Sequence, residues 1–278
     1  MRPRNVGLKR SLPEVGLLVG LLIGLLFGLL FGLLTRTASA QPAGTPRPSG
    51  YDFMSPALQT LQRDEAQNPG MLAVREGQAL WQAAPPSGGP ACAKCHGASV
   101  EDRMRGVAAR YPVWDRTRNR PLTLSQRVEQ CRLQHQGQTA QPPEGRERLA
   151  LTAAVARASL GQPLQSDASA SMQSWREEGA KWWHTRMGQL DLSCSQCHDD
   201  QVGRRLGGSV IPPGNSVGYP TYRLEWQALG SVQRRLRNCM NGVRAQPFAP
   251  DSDPALALEV FLAWRDRGLA LEVPAVRP

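Results

Sequence analysis

Histidine is scarce in this chain: four residues in 278, at His96, His135, His184 and His198, with none after His198. Methionine is thinly spread as well, with none between Met104 and Met172. Any metal centre therefore has few conventional ligands to draw on. The period-two alternation that marks strands is nearly absent, so the expected class is all-α. No segment beyond Leu34 is apolar enough to span a membrane. The formal net charge of +10 contains no extended basic block. Together with the export argument below, that excludes nucleic acid as a partner. Five basic residues against Glu14 lie in the first forty positions, so about +6 remains beyond them. A mild positive balance suits acidic protein partners or anionic substrates.

The first forty residues are expected to be a signal peptide (1–40). Arg2, Arg4, Lys9 and Arg10 precede an apolar run at 15–34, and Ala38-Ser39-Ala40 forms a small-residue cleavage site before Gln41. The run is also long enough to stay as an anchor. Its glycines, at Gly16, Gly20, Gly24, Gly28 and Gly32, repeat every four residues like a small-residue packing face. In either case the rest of the chain lies outside the cytoplasm, and the expected location is the periplasm.

Six cysteines remain in that oxidising compartment: Cys92, Cys95, Cys131, Cys194, Cys197 and Cys239. Three disulfides would be the default there. The spacing points elsewhere. Cys92-Ala93-Lys94-Cys95-His96 and Cys194-Ser195-Gln196-Cys197-His198 are both CxxCH, the attachment signature of c-type haem. The expectation is two covalently bound haem c groups, held by Cys92, Cys95, Cys194 and Cys197, with His96 and His198 on iron.

The chain is also doubled. Glu76-Gly77 with Trp81 precedes the first motif and Glu178-Gly179 with Trp183 the second, at a shift of 102 residues. Downstream, Tyr111-Pro112 matches Tyr219-Pro220, Arg127 matches Arg235 and Cys131 matches Cys239, all at 108. Leu149, Leu151, Val155 and Gly161 match Leu256, Leu258, Leu262 and Gly268 at 107. The six-residue excess of the second half falls naturally at Gly207-Gly208-Ser209 and Pro212-Pro213-Gly214. Each half then reads as a helix (69–82; 172–187), the haem motif, a Gly/Pro-rich loop, a helix with the lone cysteine, and a closing amphipathic helix (145–160; 254–267). A further helix is expected over 56–68, a loose leader over 41–50 and a linker over 162–171. Two tandem cytochrome c-like domains related by internal repeat, 41–165 and 166–278, are the expected architecture, the second carrying the active site.

The atoms opposite the histidines follow by elimination only in part. Met104 stands eight residues past His96, too near to cross a haem. That leaves Cys131 or His135 in the first half and Cys239 or Met240 in the second. Cysteine alone occurs at the repeat-matched place in both, which favours Cys131 and Cys239. A Cys131–Cys239 disulfide, or ligation by His135, would remove that assignment. Cys239 sits among Arg234, Arg235, Arg237 and Arg244, and Arg235 shares its helix face at i, i+4. Fixed positive charge favours the thiolate, the form that binds metals and attacks sulfur.

At these residues the chain resembles the SoxA family, the c-type cytochrome subunits of the periplasmic SoxAX complex of bacterial sulfur oxidation. The resemblance rests on both CxxCH motifs, Cys131, Arg235-Leu-Arg-Asn-Cys239 and Arg244-Ala245-Gln246-Pro247, and it covers almost the whole chain beyond the signal. The family commonly has Arg-Ala-Glu-Pro where this chain has Gln246. The resemblance implies an L-cysteine S-thiosulfotransferase that couples thiosulfate oxidatively to a cysteine of the carrier SoxYZ, with electrons leaving through haem to an acceptor cytochrome. It further implies a SoxX-like cytochrome c partner, Cys239 as both iron ligand and catalytic cysteine, Arg235 as substrate-binding residue and Cys131 as ligand of the first haem. Arg244, in the same motif, is a second expected substrate contact. Arginine forks suit the oxygens of a dianion, and a covalent cysteine intermediate splits the transfer in two. A dihaem electron carrier without covalent chemistry and a thiosulfate dehydrogenase forming tetrathionate are the alternatives.

Overall fold

A computed structural model describes residues 47–278; the expected signal peptide and most of the leader lie outside the described residues. The chain runs through α1 (Pro56–Arg63), α2 (Met71–Gln82), α3 (Cys92–His96), α4 (Val100–Arg103), the hairpin β1 (Val113–Asp115) and β2 (Arg120–Leu122), α5 (Leu124–Gln136) and α6 (Arg146–Arg157). The second half repeats the order with α7 (Gln173–His184), α8 (Cys194–His198), a small hairpin β3 (Arg205–Leu206) and β4 (Ser209–Val210), the hairpin β5 (Thr221–Arg223) and β6 (Ala228–Gly230), α9 (Val232–Gly242) and α10 (Asp253–Arg265). A last strand, β7 (Ala275–Arg277), pairs in parallel with β5.

Helix starts follow side-chain caps where the sequence supplies them. Thr123 opens α5 and Ser231 opens α9, each accepting from the backbone N–H three residues on. These caps are repeat equivalents. So are the two helix crossings at the centre of each half, α2 over α6 and α7 over α10. A Cβ on Gly77 would stand 2.1 Å from the Ala150 carbonyl oxygen, and one on Gly179 would stand 2.1 Å from that of Ala257. Glycine is thus required at both crossings, because the helix backbones touch there. The apolar face of α10 (Leu256, Leu258, Val260 and Leu262, each at most 2% exposed) contributes roughly 1.5–3 kcal/mol per side chain.

The halves pack on each other reciprocally. Trp114 of β1 lies against Met172, Leu256 and Val260 of the second half. Its equivalent, Tyr222 of β5, lies with Leu229 against Met71, Val74, Leu149 and Ala153 of the first. Leu149 and Ala153 are the counterparts of Leu256 and Val260. Where one residue meets another and their equivalents meet in return, the contact has the form of an isologous dimer interface, here within one chain. A further cluster, from Ala108 and Leu164 to Val217 and Leu271, joins the halves through the segment 158–165.

The structure departs from the sequence reading in three places. The Gly/Pro-rich loops each contain a hairpin ahead of the cysteine helix, with Asn119 and Gln227 at matching positive φ (52° and 48°) in the turns. Strands of three residues are too short for alternation to register. The six-residue excess is a hairpin of its own, β3–β4, closing over Gly207 and Gly208. The end of the leader is tied down: Arg47 donates to the Arg265 carbonyl and Ser49 bonds Glu272. The C-terminal strand is held in turn by α1, where the Gln62 side chain accepts from Val276 N–H at 3.0 Å.

Candidate functional site

In the second half, α8 presents Cys194, Cys197 and His198 in one turn, capped by Ser193 with Gln196 in a capping box. His198 Nδ1 lies 2.7 Å from the Pro212 carbonyl oxygen. A carbonyl only accepts, so Nδ1 carries the proton and Nε2 is the bare nitrogen, free to bind iron. The ring is braced by buried Trp183, with centroids 5.8 Å apart, and by Gly214, where a Cβ would come 3.0 Å from both rings. Trp183 Nε1 donates to Asp199 at 2.7 Å, and Arg265 pairs with the same carboxylate at 2.6 Å while its guanidinium covers the Trp183 ring at 4.5 Å.

Helix α9 brings Cys239 to the other side. Its thiol lies near His198. Burial pushes that thiol up, but with His198 beside it the charges of Arg235 and Arg223 pull it the other way, and the thiol ends below its ordinary value. The Cys194 thiol, by contrast, is pushed up to about 11 by burial and by the neighbouring Cys239. Met240 points elsewhere, buried beside Leu236, Phe248 and Ala255. A sulfur and an imidazole nitrogen that face each other, beside two cysteines on one turn, fit an axially ligated, thioether-bound haem. The arrangement also leaves the cysteine sulfur among guanidinium groups, where an anionic sulfur compound can approach it.

The first half repeats the scaffold with different chemistry. Trp81 packs near His96, centroids 5.5 Å apart, and its Nε1 donates to the Gly97 carbonyl at 2.9 Å. Cys131 lies close enough to Cys92 to raise that thiol, although burial raises it most. Cys131 itself is raised by burial, with Arg127 pulling weakly the other way. His135 is exposed on α5, and Met104 packs with Trp81, Val100 and Val155. All six cysteines are free, so the Cys131–Cys239 bridge is not formed.

Of the arginines expected at the site, Arg235 acts on Cys239 and Arg244 lies in the turn that follows α9. Arg244 is exposed, in a left-handed conformation (φ 58°), with Gln189 Oε1 at 3.5 Å from its guanidinium. Arg234 stacks on Trp226 at 4.3 Å. The cation that sequence reasoning missed is Arg223, at the end of β5. Its repeat equivalent is Asp115, and that charge reversal between aligned halves was the available signal.

Residues 76–164 and 178–271 match the family model for the SoxA/TsdA cytochrome c domain, one segment per half. The chain belongs to the SoxA/TsdA cytochrome c family. Among relatives, it is 35% identical over 245 residues to the L-cysteine S-thiosulfotransferase subunit SoxA of Pseudaminobacter salicylatoxidans, covering 87% of this chain and 85% of that one. It is 36% identical over 229 residues to the same subunit of Rhodovulum sulfidophilum, covering 82% and 79%. Among solved structures, the crystal structure of SoxXA from P. pantotrophus superposes with a TM-score of 0.78 at 29% identity, covering 83% of this chain and 86% of that one. A cytochrome c family takes haem c, and the all-α, two-segment architecture expected from the repeat is the one found.

Proposed function

We propose that this chain is the SoxA-type subunit of an exported L-cysteine S-thiosulfotransferase, joining thiosulfate to a cysteine thiol of a SoxYZ-like carrier. The observation that carries the reading is Cys239: a half-buried thiol near His198 on the helix that also carries Arg235, with the charges of Arg235 and Arg223 favouring its thiolate. Two haem c groups attach through Cys92 and Cys95 and through Cys194 and Cys197. His96 and Cys131 would hold the iron of the first haem, and His198 and Cys239 that of the second. The repeat halves 41–165 and 166–278 each carry one haem, the signal at 1–40 directs export to the periplasm, and a SoxX-like cytochrome c is the partner subunit.

The residues then divide the work. Arg235 draws the thiosulfate dianion to the Cys239 sulfur and holds its oxygens. The Cys239 thiolate and the outer sulfur of thiosulfate form an S–S bond, releasing two electrons. Haem, when bound, supplies iron for axial ligation and takes up electrons singly for an acceptor cytochrome. The carrier thiolate next attacks that outer sulfur. A new S–S bond forms, the Cys239 sulfur leaves as thiolate, and the carrier retains the thiosulfonate. The sum is one carrier thiol and one thiosulfate giving one S-thiosulfonate, one proton and two electrons. His198, fixed by Pro212 and Trp183, keeps the proximal side rigid while Cys239 does the chemistry.

Mass spectrometry of the Cys239 peptide, with haem content from the same sample, tests this. Two haems and a sulfur or thiosulfonate adduct on Cys239 after exposure to thiosulfate are expected. An unmodified Cys239 with intact haems would return the chain to a plain electron carrier.

A further inference from the structure

We propose that Arg223 is a second guanidinium of the substrate site, closing with Arg235 on the oxygens of the thiosulfate dianion at Cys239. The inference rests on the transferase reading above and extends it to a residue outside the cysteine helix.

Arg223 ends β5, on the hairpin that leads into α9, and its side chain is only 11% exposed. Its place is set by Glu225, 3.3 Å from its Nη2, and by the Trp226 ring 5.3 Å from the guanidinium carbon. Glu225 is itself held by Trp226 Nε1 at 2.7 Å and by Asn238 at 3.3 Å. These contacts fix one edge of the guanidinium and leave Nε buried without a partner. A buried N–H with nothing to donate to is rare and calls for a ligand.

Its surroundings indicate which ligand. Arg223 and Arg235 are near enough to repel each other, and Glu225, which holds Arg223, also accepts from the Asn238 side chain of α9, one residue before Cys239. Glu225 offsets one of the two charges from the exposed side. Two neighbouring guanidiniums on different elements, one on the hairpin and one on the helix that bears Cys239, describe a clamp for a doubly charged oxyanion. Thiosulfate supplies that chemistry. The carboxylates of a haem would supply it too, but the first half argues against a purely haem-holding role. It has the same hairpin, cysteine helix and CxxCH, yet carries Asp115 at the equivalent place, buried and bonded to the backbone N–H groups of Thr117 and Arg118. A haem site of this fold therefore does without the arginine.

The test uses the haem-loaded protein with its partner cytochrome subunit and a carrier thiol at saturation. Arg223→Gln should raise KM for thiosulfate by about tenfold or more, with kcat within about threefold and haem content unaltered. Arg223→Lys should recover part of the loss. An unchanged KM overturns the assignment, and so does an unchanged KM with a shifted potential, which would make Arg223 a haem carboxylate partner. Should Arg223→Gln fail to hold haem, Glu225→Gln carries the test. Freeing Arg223 from its carboxylate should lower KM a few-fold, about twofold to fivefold, and an unchanged or raised KM counts against the clamp. Wild-type turnover separates the two readings. If the wild type transfers nothing to the carrier, calorimetric binding of thiosulfate alone decides: tenfold weaker binding in Arg223→Gln keeps the oxyanion site while the transferase reading falls, and no binding by the wild type ends this inference.

Discussion

The two halves share a scaffold and differ at the atoms that react. Both have a glycine-mediated helix crossing, a tryptophan beside the haem-motif histidine, a hairpin, and a capped helix bearing a lone cysteine. Among the described residues, only the second half fixes its histidine through a carbonyl, at Pro212, just past the β3–β4 hairpin that the first half lacks. The second half alone places a second arginine, Arg223, where the first has Asp115. Correspondingly, the Cys131 thiol is raised by burial whereas the Cys239 thiol is lowered in spite of it. Duplication thus preserved the packing that places a haem and left the electrostatics of the sulfur free to diverge. A lowered thiol suits a nucleophile.

The sharpest way to break this comparison is to remove each sulfur in turn. Cys239→Ala should cost at least about a thousandfold in transfer to the carrier, because the nucleophile is gone. Cys131→Ala should change the spectrum of the first haem and leave transfer within a few-fold. Steady-state rates with a carrier thiol, alongside visible spectra of both variants, make the check. Comparable losses in both would mean that the first haem takes part in turnover and the asymmetry is only local.

The packing side of the comparison predicts symmetry instead. Gly77→Ala and Gly179→Ala each drive a methyl into a carbonyl oxygen of the crossing helix, at Ala150 and Ala257. Neither backbone can yield without moving its helix, so each change should cost about 3 kcal/mol or more. Thermal unfolding of the haem-loaded variants reads this. A large loss in one and none in the other would show that the halves no longer use the same crossing.

Much of this was legible beforehand because it lies in spacing. The CxxCH motifs, the doubled Gly–Trp pairs and the shift from 102 to 108 located the haem turns, the closing helices and the place of the extra hairpin. What stayed hidden lies in contacts between segments far apart in sequence. The hairpins are three residues per strand and leave no periodic trace. The reciprocal seating of Trp114 and Tyr222 depends on how the halves meet. Arg223 stands sixteen residues before Cys239, and only the hairpin brings it to the sulfur.

The smallest effect concerns a carboxyl that the first half does not have. Glu259 of α10 lies at a cavity of about 110 Å³ between the halves, lined also by Arg148, Ser231, Gln233 and Asp251. Its counterpart is Thr152, whose hydroxyl donates to the Arg148 carbonyl at 2.7 Å. Burial, aided by Asp251 and Glu144, pushes the Glu259 carboxyl up to about 7, against the Gln233 hydrogen bond and the charge of Arg148. The folded protein therefore holds a proton that the unfolded chain releases near the ordinary glutamate value. Between those two pKa values the folded state binds more protons, so this group's contribution to stability falls as pH rises from about 4.5 to about 7 and is flat above. The whole effect is at most about 3 kcal/mol. Glu259→Gln, which keeps the shape and cannot ionise, should flatten the melting temperature across that window and raise it at pH 8. An unchanged pH profile would mean that the cavity holds the carboxylate ionised, with Arg148 rather than a proton as its counter-charge.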